Sequence, residues 1–472
     1  MYTEPVKYDP ASGPEILLAR DERAARQKEW LHGQSGCCLI SATMNIAGTV
    51  KNSPLIEKCF QLGTRAVEDT LNNCGAPVLK KGSCSLKTGP EALFLVKAEA
   101  AAVKKMMIGV EQALSFGRLL DLDVLNNEGV ALSREELGFA ERQCLICTGP
   151  APECSRSGRH PPEEIQKETG RILREALSQN RADEVASLCC RALLYEVLVT
   201  PKPGLVDRSN AGSHDDMDIF SFAASAAGLT PFFRKAYLLG IRDVEKLQPD
   251  FLTALRTAGR LAEEDMKRAT NGANTHKGLI YSLGLICGAL GKCEARETLF
   301  SLDEMLACAA SLAQETVSSD FTNTSKNESF GIRLYAQTGE KGVRGEAAAG
   351  FPTVRFFSLP LMEELRERGL SINDAGAYTL LALLGRVIDT NMISRGGEEA
   401  AKTAREAAAA LWKETGELSS VLPSMDALSD LDGKFIKQRL SPGGCGDLLA
   451  ITFMLYFYKS TYCRLTEWFV VK

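Results

Sequence analysis

With 472 residues the chain is too long for one ordinary core, and two or three domains are expected. Apolar residues make up 45% and charged residues 24%, globular values. The net charge of −5 gives no electrostatic basis for non-specific binding to nucleic acid or to a membrane surface. Fifteen cysteines in so long a chain do not form the dense framework of a small secreted domain. The opening MYTEPVKYDPASGPE lacks the basic start and apolar run of a signal peptide. The most apolar segment, Leu448 to Tyr458, suits a buried helix and falls short of a membrane span. A reduced, soluble, cytoplasmic protein is expected.

Glu15 to Leu31 reads as a helix in which Arg20, Arg23 and Arg26 crowd one side, either a solvated basic face or an anion-binding one. Gly36 to Ile46 reads as a strand, closed by Ala47-Gly48 and followed by Lys51. Helical periodicity from Pro54 to Leu71, a strand at Ala92 to Val96 and a helix from Glu99 to Leu114 come next. Strands alternating with helices predict a mixed α/β or α+β domain.

In GRLLDLDV, Gly117 to Val124, a strand period of two puts Asp121 and Asp123 on one face and Leu120, Leu122 and Val124 toward the core. Two neighbouring carboxylates repel and call for a shared cation. Mg²⁺, which takes one or two carboxylates plus substrate phosphates, fits them, with Arg118 alongside. A half-exposed strand with two solvated acids is the plainer reading. Cys144, Cys147, Cys154 and His160 have the ligand types of a structural zinc site; reduced thiols beside a packed turn are the alternative.

His160-Pro161-Pro162 stops what precedes it. Glu163 to Leu177 reads as a charged helix, Ser178 to Arg181 lacks periodicity, and an apolar helix starts at Ala182. The boundary is therefore placed near residue 180, with helical periodicity dominating beyond it.

After Thr200-Pro-Lys-Pro-Gly204 comes a polar segment with Asp207, Asn210, His214, Asp215, Asp216 and Asp218. It suits a divalent metal, with Asp215 and Asp216 as ligands, or simply helix caps. In ATNGANTHKGLIYSLGLICGAL, Asn274, His276 and Lys277 precede a glycine-studded apolar helix. Its free N–H groups with His276 and Lys277 would cradle an anion, and the glycines imply close approach by a helix or a ligand. No Walker A loop, H-E-x-x-H or EF-hand spacing is present. Asp389 is expected at the C-terminal end of the helix Ala375 to Ile388, an unfavourable place for an acid unless a metal or Arg395 relieves it. A surface helix follows Gly396-Gly397, and in SPGGCGD the glycines Gly443 and Gly444 lead to Asp447, a cap, a metal ligand, or both.

TPKPGLVDRSNAGSHDDMD, ATNGANTHKGLIYSLGLI, GEAAAGFPTVR, DTNMISRGG and SPGGCGDLLA, in this order over about 182–460, resemble the triphosphoribosyl-dephospho-coenzyme A synthase family. LLARDERAARQ, LISATMNIAGTVKNSPLI, TGPEAL, GRLLDLDV and RQCLIC, over roughly 15–160, resemble the citrate lyase holo-acyl-carrier-protein synthase, the phosphoribosyl-dephospho-coenzyme A transferase. Ser115-Phe116 and Cys445 depart from these patterns.

The resemblance implies two fused enzymes: residues 1–180, an α+β domain with nucleotidyltransferase-like chemistry, and 181–472, a predominantly α-helical domain. The second would make 2′-(5″-triphosphoribosyl)-3′-dephospho-coenzyme A and adenine from ATP and 3′-dephospho-coenzyme A. The first would pass the phosphoribosyl-dephospho-coenzyme A unit to a serine of the acyl carrier (gamma) subunit of citrate lyase, releasing pyrophosphate. Expected catalytic residues are Asp121, Asp123, Asp207, Asp215, Asp216 and Asp389. Arg20, Arg23, Lys51, Arg118, Asn210, His214, Asn274, His276, Lys277, Asn391, Arg395, Gly443, Gly444 and Asp447 would bind nucleotide, and Mg²⁺ would assist. A Mg²⁺-dependent all-helical ribosyl glycohydrolase and a non-catalytic carrier-assembly factor are the competing readings.

Overall fold

The structure, a computed structural model, describes residues 10–147, 149–242, 248–296, 300–322, 342–413 and 422–466. The first nine residues, which carry part of the expectation of no signal peptide, lie outside them. The chain divides into two compact units, Met1–Asn180 and Arg181–Lys472.

In the first unit, α1 (Gly13–Leu31) starts at Ser12, whose hydroxyl and N–H exchange hydrogen bonds with Glu15 in a capping box. β1 (Cys38–Met44), α2 (Pro54–Asn73), β2 (Val78–Leu86), β3 (Gly89–Val96), α3 (Ala100–Ala113) and β4 (Leu120–Leu125) follow. The sheet order is β2-β3-β1-β4, every pairing antiparallel. Cys38, Ile40, Ala42, Phe94, Leu122 and Val124 join the core with α2 and α3 on one face. Leu39, Leu93, Leu95 and Leu125 meet Leu31 of α1 on the other.

The alternation expected of GRLLDLDV holds from Leu120 onward: Leu120, Leu122 and Val124 are buried, Asp121 and Asp123 are not. Gly117–Leu119 instead makes a tight 3-10 turn, where a Cβ at Gly117 would overlap the Glu111 carbonyl. β2 was not expected. Its central residues are exposed on a sheet edge, so no apolar alternation marks it, and Lys80 and Lys81 are typical edge residues.

The break expected at 178–181 does not occur. One 37-residue helix, α5, runs Pro162–Leu198. Leu173 and Ala176 belong to the first unit's core, whereas Ala182, Val185, Ala186 and Cys189 belong to the second's. The apolar stripe changes partner there and the helix does not stop.

Every named element that follows is helical. These are α6 (Ile219–Arg242), α7 (Gln248–Ala269), α8 (Lys277–Glu294), α9 (Leu302–Thr322), α10 (Gly342–Ala348), a π-turn at Val354–Ser358, α11 (Leu359–Glu367), α12 (Ile372–Arg386), α13 (Thr390–Lys413), α14 (Met425–Lys437) and α15 (Gly443–Thr466). α8 is the central post, its residues from Leu279 to Cys293 buried except Tyr281. A leucine or isoleucine buried there contributes about 1.5–3 kcal/mol. α6 crosses α8 so closely that a Cβ at Gly240 would overlap the Gly288 carbonyl, and one at Gly291 the Tyr237 carbonyl. α13 includes the expected surface helix but begins seven residues earlier, bending at Gly397, whose φ is 84°. Among the described residues no helix is long and apolar enough to cross a membrane.

Candidate active sites

In the second unit the end of α5 carries Glu196, buried and 2.5 Å from Nζ of the equally buried Lys202. The loop holding Lys202 is built around Asp207. Its Oδ2 accepts the Lys202 N–H at 3.0 Å, and its Oδ1 accepts those of Ser209 at 2.6 Å and Asn210 at 3.1 Å. Asn210 in turn donates to Asp432 Oδ2 at 2.9 Å, and Asp432 Oδ1 accepts the Gly204 N–H at 2.8 Å. Asp207 and Asn210, expected at the substrate, are thus committed to holding this loop.

Asp389 is not at a helix C-terminus. α12 ends three residues before it, and Asp389 caps the start of α13, accepting the N–H groups of Asn391 at 2.8 Å and Met392 at 3.2 Å. That is the favourable end of the dipole. Its second oxygen accepts the Cys445 N–H at 2.8 Å, tying α13 to the start of α15. Burial still raises its carboxyl, against these three hydrogen bonds. Gly443 and Gly444 lie where a Cβ would crowd Asn391 Nδ2 and Asp389 Oδ2.

Asp447, one turn into α15, rests on α8 where a Cβ at Gly278 would overlap its Oδ2. Among the described residues no group donates to it. Loss of water, then the charges of Glu196 and Asp389, hold its carboxyl well above the usual range. Burial also raises Glu196, despite Lys202.

His276, at the start of α8, is 1% exposed. Its Nδ1 shares a 2.7 Å hydrogen bond with Ser225, Phe222 meets its ring edge-on, and Nε2 has no partner. Burial first and the Lys202 charge second lower it to about 3, so the ring is neutral at pH 7. The anion cradle expected of His276 and Lys277 therefore does not hold two free cations: His276 is an uncharged polar group, and half-exposed Lys277 pairs with Glu263 at 3.0 Å. Asn274 and Asn391 are exposed. His214 bonds Ser441 at 2.8 Å and Arg395 at 3.1 Å. Asp215 and Asp216 reach into solvent, Asp215 being 3.9 Å from Arg439 and Asp216 3.8 Å from His214 Nδ1. No group of three possible metal-ligating side chains among the described residues includes either of them.

In the first unit Asp121 and Asp123 stand opposite Thr43 and Ser41 of β1, on the face that α1 covers. Gln27 of α1 donates to Ser41 at 2.9 Å. Arg23, expected to bind nucleotide, pairs instead with buried Glu91 at 2.7 Å, as does Arg26 at 2.6 Å. Arg142 lies 3.3 Å from Asp121 and 2.5 Å from buried Glu111, which also holds Arg134. Lys104 is buried, donates to the Leu122 carbonyl at 2.9 Å, and is lowered by burial against the attraction of Asp123 and Glu111. Surrounding protein, then Asp121, raises Asp123. Lys51 donates to the Ile46 carbonyl at 2.5 Å and is lowered by burial and by nearby Arg20, so two cations share that corner. Arg118 is spent on the carbonyls of Gln143 and Cys144. Cys144, Cys147, Cys154 and His160 do come together, their ligand atoms all within 4.8 Å of one another.

Sequence reasoning missed Glu196 and Lys202, although a lone acid in the apolar run LLYEVL and a lysine between two prolines were visible signals. It also missed Lys104 and Glu111, seven residues apart along α3 beside the buried Val103, Met107 and Val110.

Comparison with known proteins assigns a family to each part of the chain. Residues 182–464 match the family ATP:dephospho-CoA triphosphoribosyl transferase, and residues 12–176 match apo-citrate lyase phosphoribosyl-dephospho-CoA transferase. Protein CitXG of Haemophilus influenzae is 34% identical over 94% of this chain and 96% of its own length. Protein CitXG of Leuconostoc mesenteroides subsp. cremoris is 32% identical over 93% and 96%. A 2-(5″-triphosphoribosyl)-3′-dephosphocoenzyme-A synthase of Klebsiella pneumoniae is 40% identical over 58% of the chain and 90% of its own length. The chain belongs to the CitXG family and is a bifunctional transferase of citrate lyase prosthetic-group synthesis.

Proposed function

We propose that residues 181–472 join ATP to 3′-dephospho-coenzyme A at the Glu196–Asp389–Asp447 cluster, and that residues 1–180 attach the product to the acyl carrier subunit at Asp121 and Asp123. The observation that carries the first assignment is Asp447: a water-poor carboxylate, without a donor, set among other acids at the start of α8. Breaking the ribose–adenine bond develops oxocarbenium character, which Glu196 and Asp447 stabilise. The raised proton affinity of Asp447 suits it to take the proton of the attacking hydroxyl. Neutral His276 offers Nε2 as a hydrogen-bond partner in a dry site. Asp447 supplies hard oxygens with no cation paired to them, beside Glu196, which Lys202 already pairs; Asp447 would hold Mg²⁺, which when bound would offset the triphosphate charge.

In the first unit the reaction is nucleotidyl transfer to a carrier serine, with pyrophosphate leaving. Asp121 and Asp123 would hold Mg²⁺, while Arg20 and Lys51 receive phosphate oxygens; Arg142 fixes Asp121. The carrier is read as the citrate lyase gamma subunit and the location as cytoplasmic.

The test is the full-length protein with ATP, 3′-dephospho-coenzyme A and Mg²⁺, followed for adenine. Coenzyme-dependent adenine release is expected. Adenine released with water alone would make this a ribosyl glycohydrolase, and carrier binding without adenine an assembly factor; either overturns the reading.

A further inference from the structure

Between Ala131 and Ile172 the only buried apolar or thiol side chains among the described residues are Cys144 and Cys154. Such a segment has almost no core of its own, yet it is closed on itself. Cys144 N–H reaches the Gly149 carbonyl at 2.8 Å, and Ala151 N–H reaches the Arg142 carbonyl at 2.8 Å. This loop leads into α4 (Ala151–Ser157), which carries Cys154. Segments with so little apolar burial are commonly fastened by a disulfide or a metal.

We propose that Cys144, Cys147, Cys154 and His160 hold a structural zinc ion that fastens this segment and, with it, Arg142. Zn–S bonds of about 2.3 Å and Zn–N bonds of about 2.0–2.1 Å at tetrahedral angles place sulfurs about 3.8 Å apart and sulfur and nitrogen about 3.5 Å apart. Cys147 Sγ lies 3.5 Å from Cys154 Sγ and 3.4 Å from His160 Nε2. The C-x₂-C pair folds as a knuckle, the Ile146 N–H directed at Cys144 Sγ at 3.5 Å. His160 presents Nε2 to the thiols while its other nitrogen, Nδ1, points toward Glu164 Oε2 at 3.8 Å, beyond hydrogen-bond distance but on the side from which a carboxylate can orient a metal-bound imidazole. Binding converts three thiols to thiolates and releases their protons. The donors then number three sulfurs and one nitrogen, a closed structural set with no position left for water.

The segment bears directly on the Asp121 site. Arg142 sits at the base of the loop and reaches both Asp121 and Glu111, and Arg118 grips the carbonyls of Gln143 and Cys144.

The experiment uses the untagged full-length chain, purified with reductant from zinc-supplemented cells. Elemental analysis is expected to give about one zinc per chain, and cobalt exchange to give the visible absorption and thiolate charge-transfer bands of a tetrahedral three-sulfur site. Stripping zinc from the wild type should raise hydrogen exchange across 142–160 and leave α6 and α8 unchanged. Cys147→Ser with Cys154→Ser should abolish zinc binding; if that variant does not fold, the wild-type measurements still decide. Protein isolated folded without zinc, an octahedral cobalt spectrum, a Cys147–Cys154 disulfide in its place, or unchanged exchange after chelation would each overturn the proposal.

Discussion

In the first unit Asp121 and Asp123 stand on an edge strand among cations: Arg142 touches Asp121, and Lys104 attracts both. In the second, Glu196, Asp389 and Asp447 are drawn inside, with Lys202 as their ion-paired cation and backbone N–H groups satisfying Asp389. The first arrangement balances charge with side chains already in place. The second leaves Asp447 unbalanced, so its protonation is set by what binds. Crowded acids at a surface are stabilised by partners; crowded acids in a dry interior are stabilised by taking up protons or ligands.

The largest expected effect tests the interior cluster. Asp447→Asn keeps the shape and removes the charge, so coenzyme-dependent adenine release should fall by about 10²–10⁴-fold. Carrier modification from supplied 2′-(5″-triphosphoribosyl)-3′-dephospho-coenzyme A should persist. Equal loss of both activities would dissolve the distinction between the sites. Next in size, Asp121→Asn should lower carrier modification by about 10²-fold and leave adenine release intact. A parallel drop in adenine would mean that the two clusters serve one reaction.

The smallest expected effect is on stability. His276 is lowered to about 3, whereas an unfolded histidine titrates near 6.5. Its folded-state pKa is depressed, so between those values the unfolded chain binds a proton that the folded chain does not. Its contribution is complete above about pH 6.5, falls by up to about 1.4 kcal/mol per pH unit below it, and levels off near pH 3. Denaturant unfolding at pH 7 and pH 5 should show a smaller loss for His276→Gln than for the wild type. Identical losses would show that the ring titrates alike in both states.

Local patterns carried much of this into the sequence. The period of two placed Asp121 and Asp123 on one face, and clustered Cys and His types located the thiol site. Glycines in α8 announced close approach, and the structure divides them: Gly278 makes room for Asp447, Gly284 and Gly291 serve the crossing with α6, and Gly288 makes room for Phe251 of α7. What stayed hidden depends on where an element ends or what it faces. Asp389 changed from a strained helix end to a cap because α12 stops at Arg386, a shift of a few residues that reverses the sign of the dipole interaction. Glu111 and Lys104 read as ordinary helix charges because only tertiary packing reveals that β4 and the Arg134–Arg142 segment close over them. His276 was expected to help cradle an anion, and no sequence pattern reports the water lost around it that leaves it neutral.

The contact between α6 and α8 bears on how this chain can drift. At Gly240 and Gly291 even the first carbon of a side chain would strike a main-chain oxygen of the facing helix, and a carbonyl cannot step aside as a leucine tip can. Neighbouring positions fare differently. At Gly284 the obstacle is Phe232 and at Gly288 it is Phe251, side chains that a compensating substitution could shrink. Two of these four glycines are thus open to exchange in pairs; the other two can change only if the helices part, which would unseat the post beneath His276.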